Sequence, residues 1–363
     1  MKYLFIMTES ANVINFRKKL IEFLQAKGHS VCVIAHDNLR EKDVRDLGVD
    51  FYCVQQNNRG LNPFAILKYT KALTKIIKKE KPDVVFTFQL KPNTFGVKAA
   101  KKAGVKNVYS MVEGVGDVYI KTGIKWKIIR AVVNRLYKSA FKTSKAVFFL
   151  NHDDKNEFVN RKLVALEKCH VIRGVGIDLS HFEFKPITNT KTMIMIARML
   201  KTKGLYEYLE CARMVKQKYP EVVFNYLGAE GSEKLSDIKE YIDDGSINYL
   251  GSVKDVRPYV EDSFINILPS YREGLGLVNA EAGAMGRMSI TCNVIGTKDT
   301  VVDGYNGFLI AKGDSNAIAE KVIWCLENTE EVIKMGQNAR QFAEEHFDCN
   351  KINEQVYNVV NNL

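Results

Sequence analysis

Short apolar runs alternate along this chain with longer stretches in which apolar residues return every third or fourth position. In the first half, residues 3–7, 31–35, 84–88 and 108–111 read as buried strands, and residues 16–26, 63–79 and 94–103 as helices with one apolar face. That alternation predicts a parallel sheet wrapped by helices. A second series starts with a strand at 193–196 and a helix at 205–218. It continues through strands at 222–227, 247–250 and 264–268, a helix at 277–285, a strand at 289–292 and a helical tail. Two α/β domains are therefore expected, 1–180 and 181–348. Near residue 180, Gly174-Val-Gly176-Ile-Asp178 and Phe184-Lys-Pro186 supply the turn formers of a boundary. Ligands of open parallel sheets lie beyond the carboxyl ends of the strands, so two facing domains are expected to hold two substrates in the cleft between them.

Two segments carry candidate chemistry. In Pro269-Ser-Tyr-Arg-Glu-Gly-Leu-Gly-Leu-Val-Asn-Ala-Glu281, two glutamates bracket a glycine turn and the start of a helix, directly after an apolar strand. Such a helix start exposes unpaired N–H groups and the positive end of its dipole, which suits a diphosphate. Glu273 in the loop and Glu281 two turns later then reach neighbouring hydroxyls. A nucleotide sugar offers all of these groups; the competing reading is a solvated Glu273 and a Glu281 satisfied by surface lysines. The second segment, Met193-Ile-Met-Ile-Ala-Arg-Met-Leu-Lys-Thr-Lys-Gly204, is a strand pattern ending in a loop with Arg198, Lys201 and Lys203. Cations there neutralise the charge that develops as a nucleotide leaves, the task a divalent metal performs elsewhere; the competing reading is ordinary surface charge. The chain has no Asp-x-Asp, no complete Gly-x-Gly-x-x-Gly and no Gly-Lys-Ser/Thr loop, so nicotinamide and P-loop chemistry lack local support.

Composition narrows the class. At 363 residues and 46% hydrophobic, the chain exceeds one typical core, and its longest apolar runs are strand-length. No signal-peptide pattern opens it, so a cytoplasmic protein is expected. The seven cysteines are scattered without zinc or redox spacing and read as reduced thiols, and the six histidines show no metal or dyad spacing. Charge is one-sided: residues 1–180 hold 33 Lys+Arg against 16 Asp+Glu, and the remainder 20 against 26. Such a field suits a nucleic acid, an anionic membrane face or a phosphate-bearing substrate. No stacking-aromatic motif or zinc module accompanies it, so nucleic acid is not expected as a partner. Residues 121–138, with Ala140 just beyond, place Ile129, Val132, Val133, Leu136 and Ala140 on one helical face and most cations elsewhere. This basic amphipathic helix is expected to pack on its core and to meet an anionic leaflet with Trp126, Lys127, Arg130 and Lys138, beside a second basic stretch at 68–81.

Arg198 with Lys203-Gly204, Glu273 with Glu281, and Gly304-Tyr-Asn-Gly307, in this order, resemble the retaining glycosyltransferases of family 4 over nearly the whole chain. The resemblance implies a GT-B fold: two facing Rossmann-like domains, an interdomain cleft, and a C-terminal helix over 349–363 returning to the first domain. It implies that Glu273 contacts the donor sugar, Glu281 the ribose, and Arg198 and Lys203 the diphosphate. The strand end at Gly251, Ser252 and Val253 would take the uracil, and Gly274, Leu275, Gly276, Leu277 and Val278 would supply the helix N–H groups. No metal and no cofactor beyond the UDP-sugar substrate are expected.

Leu61-Asn-Pro-Phe64, Lys91-Pro-Asn-Thr-Phe-Gly96 and Val112-Glu-Gly-Val-Gly-Asp-Val-Tyr119 are similar to the bacterial branch that builds lipid-linked oligosaccharides, capsules and O-antigens. That likeness implies α-linked transfer, N-acetylgalactosamine being favoured, from a UDP-sugar to an undecaprenyl-diphosphate-linked saccharide. The enzyme would sit peripherally on the inner membrane face. Acceptor contacts are expected at Asn12, Arg17, Lys91, Asn93 and Thr94. Two departures stand out: Thr8-Glu-Ser-Ala-Asn12 replaces a Gly-Gly loop, and Glu113-Gly114 replaces His-Gly. Glu113 either orients a reacting group or is held in its loop for structure. A UDP-N-acetylglucosamine 2-epimerase of the same architecture is the alternative, separable because it needs no acceptor.

Overall fold

Near-continuous apolar strands mark parallel sheets covered on both faces, and every strand pair among the described residues is parallel. The computed structural model describes residues 1–363 except Asn57, Asn58, Arg59, Leu61 and Leu363, and the side chains of Asp117 and Ile120. The first position of the 61–64 motif and the last of the 349–363 helix therefore lie outside the described residues. The chain forms two compact units, Met1–Gly176 with Cys349–Leu363, and Ile177–Asp348.

The first unit holds β1 (Lys2–Ile6), β2 (Ser30–Ala35), β3 (Asp50–Cys53), β4 (Val84–Phe88), β5 (Asn107–Val112), β6 (Ala146–Phe149) and β7 (Cys169–Val171), in the order β3-β2-β1-β4-β5-β6-β7. Alternate residues of each strand face opposite layers. Tyr3, Phe5, Phe86, Phe88, Tyr109 and Phe148 pack with the helices Ser10–Ala26 and Cys349–Asn362. Leu4, Ile6, Val85, Val147 and Phe149 pack with Pro63–Glu80, Val97–Ala103 and Ile124–Phe141. Each such buried side chain contributes roughly 1.5–3 kcal/mol. The last helix lays Ile352, Val356 and Val360 on this core, and the Tyr109 hydroxyl donates to the Val360 carbonyl at 3.0 Å.

Helix Ile124–Phe141 turns differently from its sequence reading. Val133, Tyr137, Ala140 and Phe141 are buried, whereas Val132, expected inside, is 45% exposed and continues a stripe with Ile124 and Ile128. The two aromatics reach the core and set the rotation of the helix. Among the described residues, no helix is long and apolar enough to cross a membrane.

The second unit holds β8 (Thr192–Ile196), β9 (Val223–Leu227), β10 (Asn248–Gly251), β11 (Ile265–Leu268), β12 (Ser289–Cys292) and β13 (Gly307–Ile310), in the order β10-β9-β8-β11-β12-β13. Met193, Met195, Phe224, Tyr226, Ile267 and Ile290 form one core face, and Ile194, Leu227, Ala282 and Met285 the other. Arg287 is fully buried and donates to the carbonyls of Glu261 at 2.6 Å and Ser263 at 2.8 Å, and to those of Lys185 and Pro186. That anchors the turn at 184–186 to the sheet. Burial pushes its guanidinium down to about 10, so it stays protonated.

β6, an apolar run inside the first sheet, is absent from the strand series read above, and three strands escape the hydrophobic pattern itself: β3, β7 and β13. These three lie at sheet edges and are three or four residues long. An edge strand has a neighbour on one side only, so its apolar signal is short.

Candidate functional site

In a doubly wound sheet, ligands gather where the strand order reverses, beyond the carboxyl ends of the two strands concerned. In the second unit those strands are β8 and β11. Lys203 follows β8 and Glu273 follows β11, and their side chains meet. The ammonium lies 2.5 and 2.6 Å from the two carboxylate oxygens, with Lys203 24% and Glu273 15% exposed. The pair is shielded enough for strong attraction and open enough for a ligand to touch it.

Close backbone approaches fix this geometry. The Tyr271 N–H donates to the Thr202 carbonyl at 2.9 Å. Gly204 adopts φ 76°, and a Cβ there would lie 2.2 Å from the Pro269 carbonyl oxygen. On the other flank, the Glu273 N–H donates to the Ile295 carbonyl at 3.1 Å, and a Cβ on Gly296 would lie 2.3 Å from the Glu273 carbonyl oxygen. Only glycine fits either place.

Helix Leu277–Ala284 begins at Gly276, φ 82°, with no side chain capping it. The first-turn N–H groups of Leu277 and Val278 have no partner among the described residues and add to the positive end of the helix dipole. Glu281, on the second turn, is part-buried, and its carboxyl is pushed up to about 7 by burial. It makes no hydrogen bond or ion pair with any described residue, so no surface lysine satisfies it. Arg198 is exposed and likewise unpaired among the described residues. At the end of β10, Ser252 is exposed and Val253 packs near Ile194 and Leu227. The Gly304–Gly307 motif is a turn: the Gly304 N–H donates to the Gly307 carbonyl at 2.9 Å, and the Asn306 side chain accepts from the Val302 N–H at 2.7 Å.

In the first unit the strand order reverses between β1 and β4, and a different cluster stands there. The Glu113 carboxylate, just after β5, accepts from the Arg17 guanidinium on one oxygen and from the Gln89 amide on the other. Gln89 adopts φ 64°, uncommon for a side-chain-bearing residue, and its carbonyl oxygen accepts from the Thr8 N–H at 3.2 Å. Arg17 also lies 4.3 Å over the Phe88 ring, and burial pushes it down to about 9, still protonated at neutral pH. Glu113 is thus held as an oriented carboxylate.

Most of the expected acceptor contacts face inward. Arg17, Lys91, Asn93 and Thr94 are all buried, and burial lowers the Lys91 ammonium. Asn93 donates to the Met111 carbonyl at 2.8 Å and accepts from Thr87 at 2.8 Å. The Thr94 hydroxyl donates to the Leu90 carbonyl at 2.8 Å. The wide turn Pro92–Gly96 packs on the sheet and rotates these side chains into it. Asn12, in the first turn of its helix, stays part-exposed. Gln89 and Thr8, which sequence reasoning left unassigned, belong to the cluster; the departure at Thr8–Asn12 was the available signal.

On helix Ile124–Phe141, Lys127 and Lys138 are exposed and Trp126 is part-buried under the Lys121 ammonium, 5.0 Å from its ring. Arg130 is different: it donates to the carbonyls of Val118 and Lys121, both at 2.8 Å, and so ties down the preceding loop. Among the described residues, no three His, Cys, Asp or Glu side chains are grouped to hold a metal ion.

Comparison with known proteins agrees with this layout. Residues 177–342 match the family described as glycosyl transferases group 1, and residues 4–151 match glycosyl transferase 4-like. The chain is 30% identical to the N,N'-diacetylbacillosaminyl-diphospho-undecaprenol alpha-1,3-N-acetylgalactosaminyltransferase of Campylobacter jejuni, over 93% of each chain. It is 24% identical to the capsular polysaccharide biosynthesis glycosyltransferase CapM of Staphylococcus aureus, over 94% of this chain and 92% of that one. Among solved structures, Anabaena HepE in complex with UDP and glucose covers all of both chains with a TM-score of 0.84 at 16% identity, a likeness of fold. Two parallel Rossmann-like units, and a relative of this identity across nearly its full length, show that the chain belongs to the group 1, family 4-like glycosyltransferases of GT-B fold.

Proposed function

We propose that this glycosyltransferase moves N-acetylgalactosamine from its UDP conjugate to a hydroxyl of an undecaprenyl-diphosphate-linked saccharide, with retention of the anomeric configuration and without a metal. The observation that carries the donor side is the uncapped start of helix Leu277–Ala284, flanked by the Lys203–Glu273 pair and by an unpartnered Glu281. The helix N–H groups, Lys203 and Arg198 stabilise the departing diphosphate, and Glu281 accepts from two ribose hydroxyls. Glu273, oriented by Lys203, accepts from the donor sugar. Ser252 and Val253 would meet the uracil. The choice of sugar and lipid carrier rests on the Campylobacter relative, which acts on an undecaprenol-linked bacillosamine.

Glu113 reads here as the positioning carboxylate of the acceptor side, with Asn12, part-exposed on the helix that carries Arg17, as a further acceptor contact. Its acceptor-only chemistry suits a sugar hydroxyl or acetamido N–H. The exposed stripe Ile124, Ile128 and Val132, flanked by Lys125 and Lys127, suits the surface of an anionic leaflet where such a carrier resides. The relatives named above are transferases, so the epimerase alternative is not favoured.

Isothermal titration against UDP, UDP-N-acetylgalactosamine, UDP-N-acetylglucosamine and UDP-galactose, with and without EDTA, tests the donor site. Turnover with and without a polyprenyl-diphosphate-linked saccharide tests the reaction. EDTA-insensitive binding of one UDP-sugar with acceptor-dependent release of UDP is expected; failure to bind any of them would overturn the assignment.

A further inference from the structure

Helix Ile124–Phe141 ends beside an open pocket of about 550 Å³ that neither substrate explains. Phe141, Leu163 and Leu166 line it, with Leu166 60% exposed to solvent, and Lys138, Lys142, Lys162 and Lys168 stand around it. No carboxylate lines it among the described residues. The four lysines differ. Lys168 donates to the carbonyls of Ser144 at 2.8 Å and Lys142 at 3.0 Å, closing the end of the helix. Lys138, Lys142 and Lys162 are exposed and make no ion pair with any described residue. Three unneutralised ammonium groups beside a greasy floor attract a ligand that is anionic at one end and apolar at the other.

Its place in the sheet separates it from the acceptor site. Residues 141–144 lead into β6 and Leu166–Lys168 into β7, so the pocket sits at the amino ends of these strands. Glu113 and Gln89 sit beyond the carboxyl ends of β5 and β4. The helix joins the two ends of the sheet, about 27 Å long at 1.5 Å per residue. At 100° per residue, Ile124, Ile128, Ala131, Arg135, Lys138 and Lys142 project within about 40° of one line. That face is apolar where the helix begins and basic where it meets the pocket.

We propose that this pocket binds an acidic phospholipid of the leaflet, not the reacting carrier: its phosphate among Lys138, Lys142 and Lys162, its first acyl carbons on Phe141, Leu163 and Leu166. The proposal rests on the membrane-facing reading of this helix and is independent of which sugar is transferred.

The test is titration of the full chain with monomeric dihexanoyl phosphatidylglycerol, dihexanoyl phosphatidylcholine, inorganic phosphate and farnesyl phosphate, alongside co-sedimentation with vesicles with and without phosphatidylglycerol. Phosphatidylglycerol should bind at one site, and Lys142→Glu with Lys162→Glu, or Leu166→Asp alone, should weaken it by about tenfold or more while UDP binding stays unchanged. Ile124→Asp with Ile128→Asp should lose vesicles yet keep the soluble lipid, which separates failure of the helix face from failure of the pocket. Equal affinity for phosphatidylcholine or inorganic phosphate, or unaltered binding in the pocket variants, would overturn the proposal. Tighter farnesyl phosphate would overturn it in favour of the polyprenyl carrier, and a dimer dissolved by Leu166→Asp in favour of a second copy of the chain.

Discussion

The two units share a doubly wound parallel sheet, yet the polar groups at their switch points are in opposite states. In the first, Glu113 accepts from Arg17 and Gln89, and Gln89 in turn accepts from the Thr8 N–H, so each of these side chains has a protein partner and, of the Arg17 guanidinium, the buried Nε is left without one among the described residues. In the second, Glu281, Arg198 and the first N–H groups of a helix face no protein partner among the described residues. The same fold thus supports an oriented carboxylate in one place and a set of unmet hydrogen-bonding groups in the other. The first pattern is expensive to disturb, because removing one member strands a buried charge. The second costs stability while empty and returns it as ligand affinity.

The sharpest way to break this comparison is at Glu273. Glu273→Ala should lower turnover by about a thousandfold with little change in thermal midpoint, since it loses an oriented group in an open site; turnover within a factor of a few of the parent would sink its role. Glu113→Ala should do the reverse in kind and destabilise the chain by about 3 kcal/mol, because Arg17 is left buried. Chemical denaturation measures it, and Arg17→Met with Glu113→Leu should recover much of the loss.

Glu281 gives a smaller, pH-dependent effect. Its folded value of about 7 lies above its ordinary 4.5, so the ligand-free chain binds that proton more tightly than the unfolded chain does. The resulting stability is fully present below about 4.5 and lost as pH rises through 7, roughly 2 kcal/mol after allowance for partial exposure. UDP needs the ionised form as acceptor, so its affinity should rise between pH 6 and 8. Glu281→Gln should remove both trends and weaken UDP by about tenfold; melts and titrations at several pH values decide. Smallest, Lys127→Ala with Lys138→Ala should weaken anionic vesicles by about fivefold to thirtyfold at low salt and leave UDP binding alone; identical sedimentation curves would remove these lysines from the membrane face.

What could be read from the sequence follows from how local each signal is. The strand at 193–196 is an unbroken apolar run and that at 264–268 is interrupted at Asn266 alone, and Gly274, Gly276 and the helix after them follow directly, so family and fold were legible there. Arg17 and Glu113 meet across 96 residues, and an arginine within an amphipathic helix looks like surface charge until the helix is placed. Gln89 gives no sign of its left-handed backbone. Lys91, Asn93 and Thr94 sit in a motif whose wide turn buries them, a rotation that residue types alone do not encode. Val132 failed similarly: 100° of helical phase separates it from Val133, and Tyr137 and Phe141 decide which of the two faces the core.

The helix Cys349–Asn362 has a consequence for how the protein is made. It completes the apolar layer over Leu20, Leu24 and Tyr109, but it is synthesised after all of the second unit. During translation the second unit is an uninterrupted segment that can fold as soon as it clears the ribosome. The first unit, although its strands emerge earlier, waits with an uncovered greasy face until Ile352, Val356 and Val360 arrive. The half of the enzyme that begins first is therefore the half that finishes last, and its interim exposure is where a chaperone or a vesicle surface would first take hold.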